Sequence, residues 1–252
     1  GEEFSVTREV ANVIFPTWSP NGKQLAFLQE VDGLVSLVVS TLQGKESSDL
    51  KLHGFEDSRV SMAFTYTVVV YGTDPKQLPL ITTAALDEVD RIDALMSNYK
   101  PESPLSQINR EAGEHAVLVE PELFRFLERC VRYSQQSEGA FDITVGPLMK
   151  AWGFFRGEGR IPWSFELWNV LRKVGYQRLS LNSTQRTIQF ERSGMELDLG
   201  GIAKGYAVDR VVELLKEQRI ERAFVSAGGS TLYGLGAPPD SPGWEIKIQR
   251  PL

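Results

Sequence analysis

Hydrophobic residues recur at the spacing of one helical face in three long stretches of the chain, which predicts three amphipathic helices. The three apolar faces consist of Ile81, Ala85, Val89, Ile92 and Met96, of Leu123, Leu127, Cys130 and Val131, and of Ala203, Ala207, Val211, Leu214 and Leu215. The first helix is expected to end near Asn98. The second is expected to begin at Pro121, because proline is well tolerated in a first helical turn.

Two shorter stretches between these helices carry weaker patterns. Ser164 is a candidate cap for a short helix that would turn Leu167, Leu171 and Val174 inward. The polar residues 97–109 are predicted to form a loop.

Runs rich in β-branched and aromatic residues predict strands between and beside the helices. They cover residues 24–28, 34–39, 59–71 and 222–227, a hairpin at 179–192, and a last strand that carries Trp244, Ile246 and Ile248. Because strands and helices interleave and hairpins are also present, the predicted fold class is α+β, or mixed α/β.

The N-terminal stretch differs in character from the rest of the chain. Residues 15–27, Phe-Pro-Thr-Trp-Ser-Pro-Asn-Gly-Lys-Gln-Leu-Ala-Phe, resemble one blade repeat of the TolB-like propellers. The repeat occurs once, whereas a propeller buries its faces only with several blades. We therefore predict a β-hairpin extension over 1–58, with a polar linker at 43–58, followed by a second domain at 59–252.

Composition narrows the classes of function. The 252-residue chain has a formal net charge of -6, which argues against a large nucleic-acid interface. It contains no apolar run long enough to span a membrane. Cys130 is the single cysteine and is predicted to be a core residue. One cysteine cannot form a disulfide within the chain, and this leaves both a cytoplasmic and a periplasmic location open. The chain has two histidines, which argues against a histidine-rich zinc site.

One stretch, residues 195–209, has the pattern of an anion site. An apolar run that we predict as a strand ends at Asp198, then Gly200 and Gly201 form a turn, and a helix follows with Lys204 in its first turn. Glycines permit positive φ and close approach of a ligand, and a helix N-terminus favours anions. The spacing matches neither a Walker loop nor a dinucleotide-binding fingerprint. A purely structural glycine turn is the alternative.

Four separated stretches together resemble the ApbE family of FAD:protein FMN transferases. They are residues 95–109, residues 139–148 with Trp152 and Gly153, residues 195–209, and residues 226–229 with Trp244. The resemblance covers about residues 59–252 and implies a T-fold-like flavin transferase core.

The resemblance implies an enzyme that takes FAD and, with Mg²⁺, attaches FMN through its phosphate to a Ser or Thr of a target protein, with release of AMP. Two alternatives remain open at this point: an FAD pyrophosphatase that gives FMN and AMP, and a catalytically inactive flavin-binding protein. Family members modify subunits of membrane redox complexes, which implies an extracytoplasmic location, periplasmic or membrane-anchored.

The site residues that the resemblance implies fall into three groups. Lys204 and Asp198 are the candidate catalytic residues, and the carbonyl of Gly201 is a candidate magnesium ligand. The candidate cofactor-binding residues are Met62, Tyr99, Ala140, Phe141, Asp142, Asp198 and Lys204. Structural alternatives are core packing for Met62 and Phe141 and a turn cap for Asp142.

The sequence departs from the family pattern at three places. Met62 is followed by Ala-Phe where the family has Gly-Thr, and Ser230 stands where the family often has an acidic residue. The late family motifs that complete the magnesium shell are absent from these 252 residues. From the sequence we therefore expect weak magnesium binding and low turnover, because magnesium requires oxygen ligands that include a carboxylate.

Overall fold

The computed structural model describes residues 12–18, 24–31, 34–41, 52–157 and 159–247, and for the first three ranges it describes the backbone alone. The chain divides into two compact units, Gly1–Val89 with Ala207–Leu252, and Asp90–Tyr206.

The described residues contain six α-helices and eleven strands. The helices are α1 (Leu78–Met96), α2 (Pro104–Glu111), α3 (Pro121–Gln136), α4 (Gly146–Ala151), α5 (Ser164–Leu171) and α6 (Ala203–Glu217), with short 3-10 turns at Phe154–Arg156 and Tyr176–Arg178. The strands are β1 (Asn12–Trp18), β2 (Gln24–Val31), β3 (Leu34–Thr41), β4 (His53–Ser61), β5 (Phe64–Gly72), β6 (Val117–Leu118), β7 (Leu179–Asn182), β8 (Thr187–Phe190), β9 (Arg222–Ala227), β10 (Thr231–Leu235) and β11 (Gly243–Lys247). The mixed α and β class predicted from the sequence is confirmed.

The first unit contains two four-stranded antiparallel sheets, ordered β1-β2-β3-β11 and β10-β9-β5-β4. In the second sheet, alternate residues of the central strands β5 and β9 are fully buried, as expected for strands with one face against a core. These residues are Tyr66, Val68, Val70, Ala223, Val225 and Ala227.

The N-terminal strands form an antiparallel meander, in agreement with the hairpins predicted there. The last strand of this meander, β3, pairs with β11, with Ser40 opposite Gly243 and Ser36 opposite Lys247. The two strands are about two hundred residues apart in sequence, and this pairing could not be read from local patterns. Ile248, predicted in the last strand, lies outside the described residues. The division into domains 1–58 and 59–252 stays a prediction.

The predicted linker at 43–58 is wrong for residues 53–58, which belong to β4. Strand β4 pairs with β5 over its whole length, from His53 opposite Gly72 to Ser61 opposite Phe64. It lies at an edge of its sheet and carries several polar residues, so its sequence resembles a linker. Residues 59–71, predicted as one strand, are instead the two arms of a hairpin that turns at Met62 and Ala63.

The second unit contains the small antiparallel sheet β6-β8-β7 and helices α2 to α5. The hairpin predicted at 179–192 is confirmed as β7 and β8. Helix α3 also has the predicted core face, on which Leu123, Leu127 and Cys130 are fully buried. Burial raises the pKa of the Cys130 thiol to about 12, which keeps it protonated and unreactive near neutral pH.

Two helix predictions are wrong. Residues 104–111 form helix α2 and not a loop, because Ser103 caps the helix by accepting a hydrogen bond from the Ser106 amide (3.0 Å) and Leu105 and Ile108 are buried. Helix α5 begins at Ser164, but its N-cap is Trp163, which makes no side-chain capping bond, and Leu171, predicted to face inward, is half exposed.

Candidate functional site

The segment Met195–Leu199 of the second unit has alternate residues buried, as an extended segment does, but it is not a strand of a sheet. The prediction of a strand that ends at Asp198 is therefore wrong. Among the described residues, the β-type pairing of this segment is a single bridge between Val145 and Glu196. Side chains replace the missing sheet partner. The Leu197 amide donates to Oδ1 of Asn109 (2.7 Å), and Nδ2 of Asn109 donates to the Leu197 carbonyl (3.0 Å).

The same Leu197 carbonyl accepts a second hydrogen bond from Nδ2 of Asn98, at 2.9 Å. Nδ2 of Asn109 also lies 3.2 Å from Oδ1 of Asn98, so the two asparagines are joined to each other. Leu197 is fully buried, and an unpaired peptide group there would cost free energy. The two asparagines therefore fix the backbone immediately before Asp198.

The loop before α4 supports the other side of this segment. The Asp198 amide donates to the Ile143 carbonyl (2.8 Å), and the Gly146 amide donates to the Glu196 carbonyl (3.2 Å). A Cβ on Gly146 would lie 2.8 Å from the Glu196 carbonyl oxygen and 2.9 Å from the Glu196 Cβ. Only glycine permits this approach of the two backbones.

Tyr99 and Asp198 come within electrostatic reach of each other as a consequence. Tyr99 directly follows Asn98, Asp198 directly follows Leu197, and Asn98 is hydrogen-bonded to Leu197. Burial and the negative charge of Asp198 both raise the pKa of the Tyr99 phenol. The Tyr99 ring is 64% exposed and stacks on Phe155, with ring centroids 4.8 Å apart.

A cleft of about 230 Å³ lies next to this aromatic pair. Its lining residues are Asn98, Pro101, Ser106, Asn109, Arg110, Lys150, Phe155 and Glu196. Lys150 forms an ion pair with Glu196 and lies 5.5 Å from the centre of the Phe155 ring. Asp198, Gly200 and Gly201 do not belong to the lining of this cleft.

Several of these residues were missed as site candidates. Asn98 and Asn109 lie inside the stretch 95–109 that carried the family resemblance, and this was a signal that could have identified them. Phe155 and Lys150 had no such signal, because their place beside Tyr99 and Glu196 depends on contacts between segments that are distant in sequence.

The glycines after Asp198 were expected to give positive φ and room for a ligand, and the structure shows the room at Gly201 without positive φ. Neither Gly200 nor Gly201 has positive φ. Gly200 donates its amide to Oδ1 of Asp198 (2.8 Å), and a Cβ added to Gly201 or to Gly205 would meet nothing within 4 Å. These glycines leave the backbone at the start of α6 accessible, with half-buried Lys204 in the first turn.

The Asp142 carboxylate organises a turn. Oδ1 accepts hydrogen bonds from the Thr144 amide (2.8 Å) and hydroxyl (2.7 Å), and Oδ2 accepts one from the Tyr176 amide (2.8 Å). The Thr144 hydroxyl in turn accepts from the Gly175 amide (2.7 Å). These contacts are those of a turn cap, which was the structural alternative considered for Asp142. Ala140 beside it is exposed.

Phe141 belongs to the second unit and Met62 to the first, and each makes a hydrogen bond with a residue close to it in sequence. Phe141 is half-buried, and its amide donates to the Ser137 hydroxyl (3.0 Å). Met62 is in the first unit, at the tip of the β4–β5 hairpin, where its sulfur accepts a hydrogen bond from the buried Tyr66 hydroxyl (3.1 Å). Met62 and Ala63 both have positive φ, +50° and +63°.

No group of three or more histidine, cysteine, aspartate or glutamate side chains with metal-site geometry occurs among the described residues. The candidate ligand Gly201 is exposed and offers a carbonyl oxygen. Within the part of the chain that the structure describes, no helix has both the length and the apolar character needed to cross a bilayer.

The comparisons with known proteins agree on one family. The ApbE family profile matches residues 62–252. The FAD:protein FMN transferase of Klebsiella pneumoniae (strain 342) is 31% identical over 203 residues, which cover 78% of this chain and 60% of that protein. The FAD:protein FMN transferase of Treponema pallidum (strain Nichols) is 31% identical over 162 residues, 61% of this chain and 44% of that protein.

Solved structures show the same similarity. The flavin transferase ApbE from Vibrio cholerae superimposes with a TM-score of 0.72 at 28% identity, over 80% of this chain and 65% of that one. The ApbE protein from Thermotoga maritima gives a TM-score of 0.67 at 26% identity, over 78% of this chain and 68% of that one. The chain spans 44% to 60% of the length of the two relatives named above.

Proposed function

This chain belongs to the ApbE family, and on that basis we propose that it acts in FAD:protein FMN transfer, a Mg²⁺-dependent reaction that attaches FMN to a Ser or Thr of a target protein. Its relatives carry the name FAD:protein FMN transferase. An extracytoplasmic location of the chain and its target is part of the proposal.

The observation that supports flavin binding best is the exposed Tyr99 ring stacked on Phe155, within electrostatic reach of Asp198. Tyr99 presents an exposed ring already stacked on Phe155, and an extended aromatic surface of this kind suits a planar isoalloxazine or adenine ring. Asp198, held next to it, offers a carboxylate that can accept hydrogen bonds from the ligand.

The start of α6 suits the pyrophosphate. Gly201 and Gly205 leave open space over the backbone, so that phosphate oxygens can approach. The helix N-terminus carries a partial positive charge, and Lys204 in the first turn adds a full one. We assign Lys204 to stabilisation of the negative charge that develops on the pyrophosphate.

Magnesium would be held here mainly by the substrate, in line with the weak binding expected from the sequence. Mg²⁺ commonly binds through substrate phosphates and water together with one or two protein carboxylates, and it rarely occupies an all-protein cage. The Gly201 carbonyl would be one of the protein ligands. When bound, the ion would neutralise charge on the phosphates.

In the proposed reaction, a Ser or Thr hydroxyl oxygen of the target forms a bond to the phosphorus of the FMN half of FAD. The bond from that phosphorus to the bridging oxygen breaks, AMP leaves with the bridging oxygen, and the hydroxyl proton passes to solvent or a base. Water as the attacking group would instead give free FMN and AMP.

The test combines FAD binding with product analysis. The chain is titrated with FAD by flavin fluorescence, and then incubated with FAD, Mg²⁺ and synthetic peptides that each carry one Ser or Thr. AMP together with a flavin-labelled peptide supports the transferase. AMP with free FMN indicates a pyrophosphatase, bound FAD without AMP indicates a flavin-binding protein, and absence of binding overturns the proposed site.

Variants locate the binding residues. Tyr99→Ala and Lys204→Ala should each weaken FAD binding about tenfold or more. The first variant removes a stacking surface and the second a positive charge, each worth roughly 1–2 kcal/mol. Tyr133→Ala is the matched control, because Tyr133 is an exposed tyrosine of α3 in the same unit and is not assigned to the site. An equal loss in Tyr133→Ala would contradict the assignment of Tyr99.

A further inference from the structure

A segment of the second unit between Trp152 and Leu171 exposes an unusual number of large apolar side chains. They are Trp152, Phe154, Ile161, Trp163, Phe165, Trp168 and Leu171. Ile161, Trp163 and Phe165 each expose at least 75% of their surface. Single exposed apolar residues are normal, but a group of this size in one continuous segment marks an interaction surface. We call it the aromatic segment.

Helix α5, inside the aromatic segment, is apolar on both sides. Phe165, Trp168 and Leu171 are exposed, and the rings of Phe165 and Trp168 lie 6.5 Å apart. Leu167 and Val170 are half-buried on the other side, and none of the eight residues of α5 is fully buried. A surface helix normally exposes a polar face, so an apolar outer face indicates contact with something other than water.

Basic residues flank the aromatic segment in a chain of net charge -6. The segment itself, residues 152–171, has two basic and two acidic residues, and Lys150, Arg172 and Lys173 lie within two residues of its ends, so that residues 150–173 carry a net charge of +3. The Arg172 guanidinium lies 4.8 Å from the centre of the Trp168 ring, which places a cation directly beside the exposed aromatic group. Arg160 forms an ion pair with Glu166 and is locally neutralised.

These features favour one occupant. If this segment packed against the same segment of a second copy, the exposed cations Arg172 and Lys173 of both copies would come together, which is electrostatically unfavourable. A bilayer that contains anionic lipids attracts these two cations. It also accepts Trp and Phe side chains that protrude, because such rings partition into the boundary between headgroups and acyl chains.

We propose that the aromatic segment is a membrane-surface binding site that inserts Trp163, Phe165 and neighbouring apolar side chains into the interface of an anionic lipid bilayer. Arg172 and Lys173 supply the attraction to lipid phosphates. The contact is peripheral, and it requires neither FAD nor the flavin site.

The test measures binding to vesicles. The chain is sedimented with vesicles of phosphatidylcholine alone and of phosphatidylcholine mixed with phosphatidylglycerol, and tryptophan fluorescence is recorded. We expect binding to the anionic vesicles with a blue shift, and weaker binding at high salt. Trp163→Ser with Phe165→Ser should weaken binding at least tenfold, and Arg172→Gln with Lys173→Gln should reduce its dependence on anionic lipid and salt.

Val60→Ser with Leu118→Ser is the matched control, because these residues are as exposed as the inserted ones but lie outside the segment. The control should bind as the unmodified chain does, and circular dichroism should show all variants folded. The proposal is overturned if the unmodified chain does not bind anionic vesicles, or if the Trp163→Ser, Phe165→Ser variant binds equally well. It is also overturned if sedimentation without lipid shows a dimer that this variant abolishes, since the occupant is then a second copy.

Discussion

The side-chain amide of Asn109 forms both hydrogen bonds that a neighbouring strand would form with the peptide groups of Leu197. It donates to the carbonyl at 3.0 Å and accepts from the amide at 2.7 Å. A polar residue of helix α2 thus fixes the extended segment that carries Asp198, where no sheet is present to do so.

Asn109→Asp tests this relationship with almost no change in shape. The carboxylate keeps an acceptor for the Leu197 amide but places a negative oxygen against the Leu197 carbonyl, so we expect a loss of about 1–3 kcal/mol in the free energy of unfolding. Urea unfolding measures it. Asn182→Asp is the control, because a carboxylate can still accept from the Gln185 amide (3.0 Å), and the bond that it loses, from Nδ2 of Asn182 to Oε1 of Gln185 (3.3 Å), is exposed and can be replaced by water. Equal losses in both variants would contradict the role of Asn109.

The phenol of Tyr99 should titrate above its ordinary pKa of 10.0, because burial and the charge of Asp198 both disfavour the phenolate. Tyrosinate absorbance, taken as the difference from Tyr99→Phe, measures this pKa. Asp198→Asn should lower the pKa part of the way, and Asp198→Glu should leave it raised. A pKa that Asp198→Asn does not change would show that the two groups do not interact.

The sign of the pH dependence follows from the same shift. A folded-state pKa above the unfolded value means that the folded chain holds the phenolic proton more tightly. The associated stability is therefore fully present below about pH 10 and is lost as the pH rises through the folded-state pKa. Compared with the Tyr99→Phe variant, the unmodified chain should lose stability more steeply in that range.

Two glycine substitutions should act in opposite directions. Gly146→Ala places a Cβ 2.8 Å from the Glu196 carbonyl oxygen, so the two backbones must separate, and we expect a loss of about 1–3 kcal/mol in the free energy of unfolding. Gly205→Ala meets no neighbouring atom within 4 Å and lies inside helix α6, where alanine should add about 0.5–1 kcal/mol. Thermal unfolding of both variants checks the pair. Stabilisation by Gly146→Ala would refute the close approach.

The hairpin turn of the first unit offers a stabilising change. Ala63 has φ of +63°, a conformation that costs a residue with a Cβ about 1–2 kcal/mol and that glycine adopts freely. Ala63→Gly should therefore raise the free energy of unfolding by up to about 1 kcal/mol, after the entropy of the unfolded glycine is subtracted. Ala140→Gly is the control at an exposed alanine without positive φ, and it should be neutral or slightly destabilising. The same gain in both would show that the turn is not strained.

Local sequence patterns were sufficient for much of the fold. The apolar faces of α1 and α3 were identified correctly, because residues at helical spacing face the same side regardless of what they pack against. The hairpin of β7 and β8 followed from its turn residues. Helix α2 was missed, since its buried face consists of little more than Leu105 and Ile108 in a polar stretch.

By itself, the sequence of this protein determined the mixed α and β class, most helix faces, the family and the set of candidate site residues, because these depend on residue types and spacings along the chain. Only the tertiary structure decided that Asn98 and Asn109 bind Leu197, that Tyr99 lies beside Asp198 and Phe155, and that β3 pairs with β11. Contacts of this kind join segments far apart in sequence, and their energies depend on distances between atoms that no local pattern specifies. The glycines after Asp198 show the difference most clearly: their presence could be read from the chain, but only the structure shows that Gly201 and Gly205 border open space and that Gly200 and Gly201 do not have positive φ.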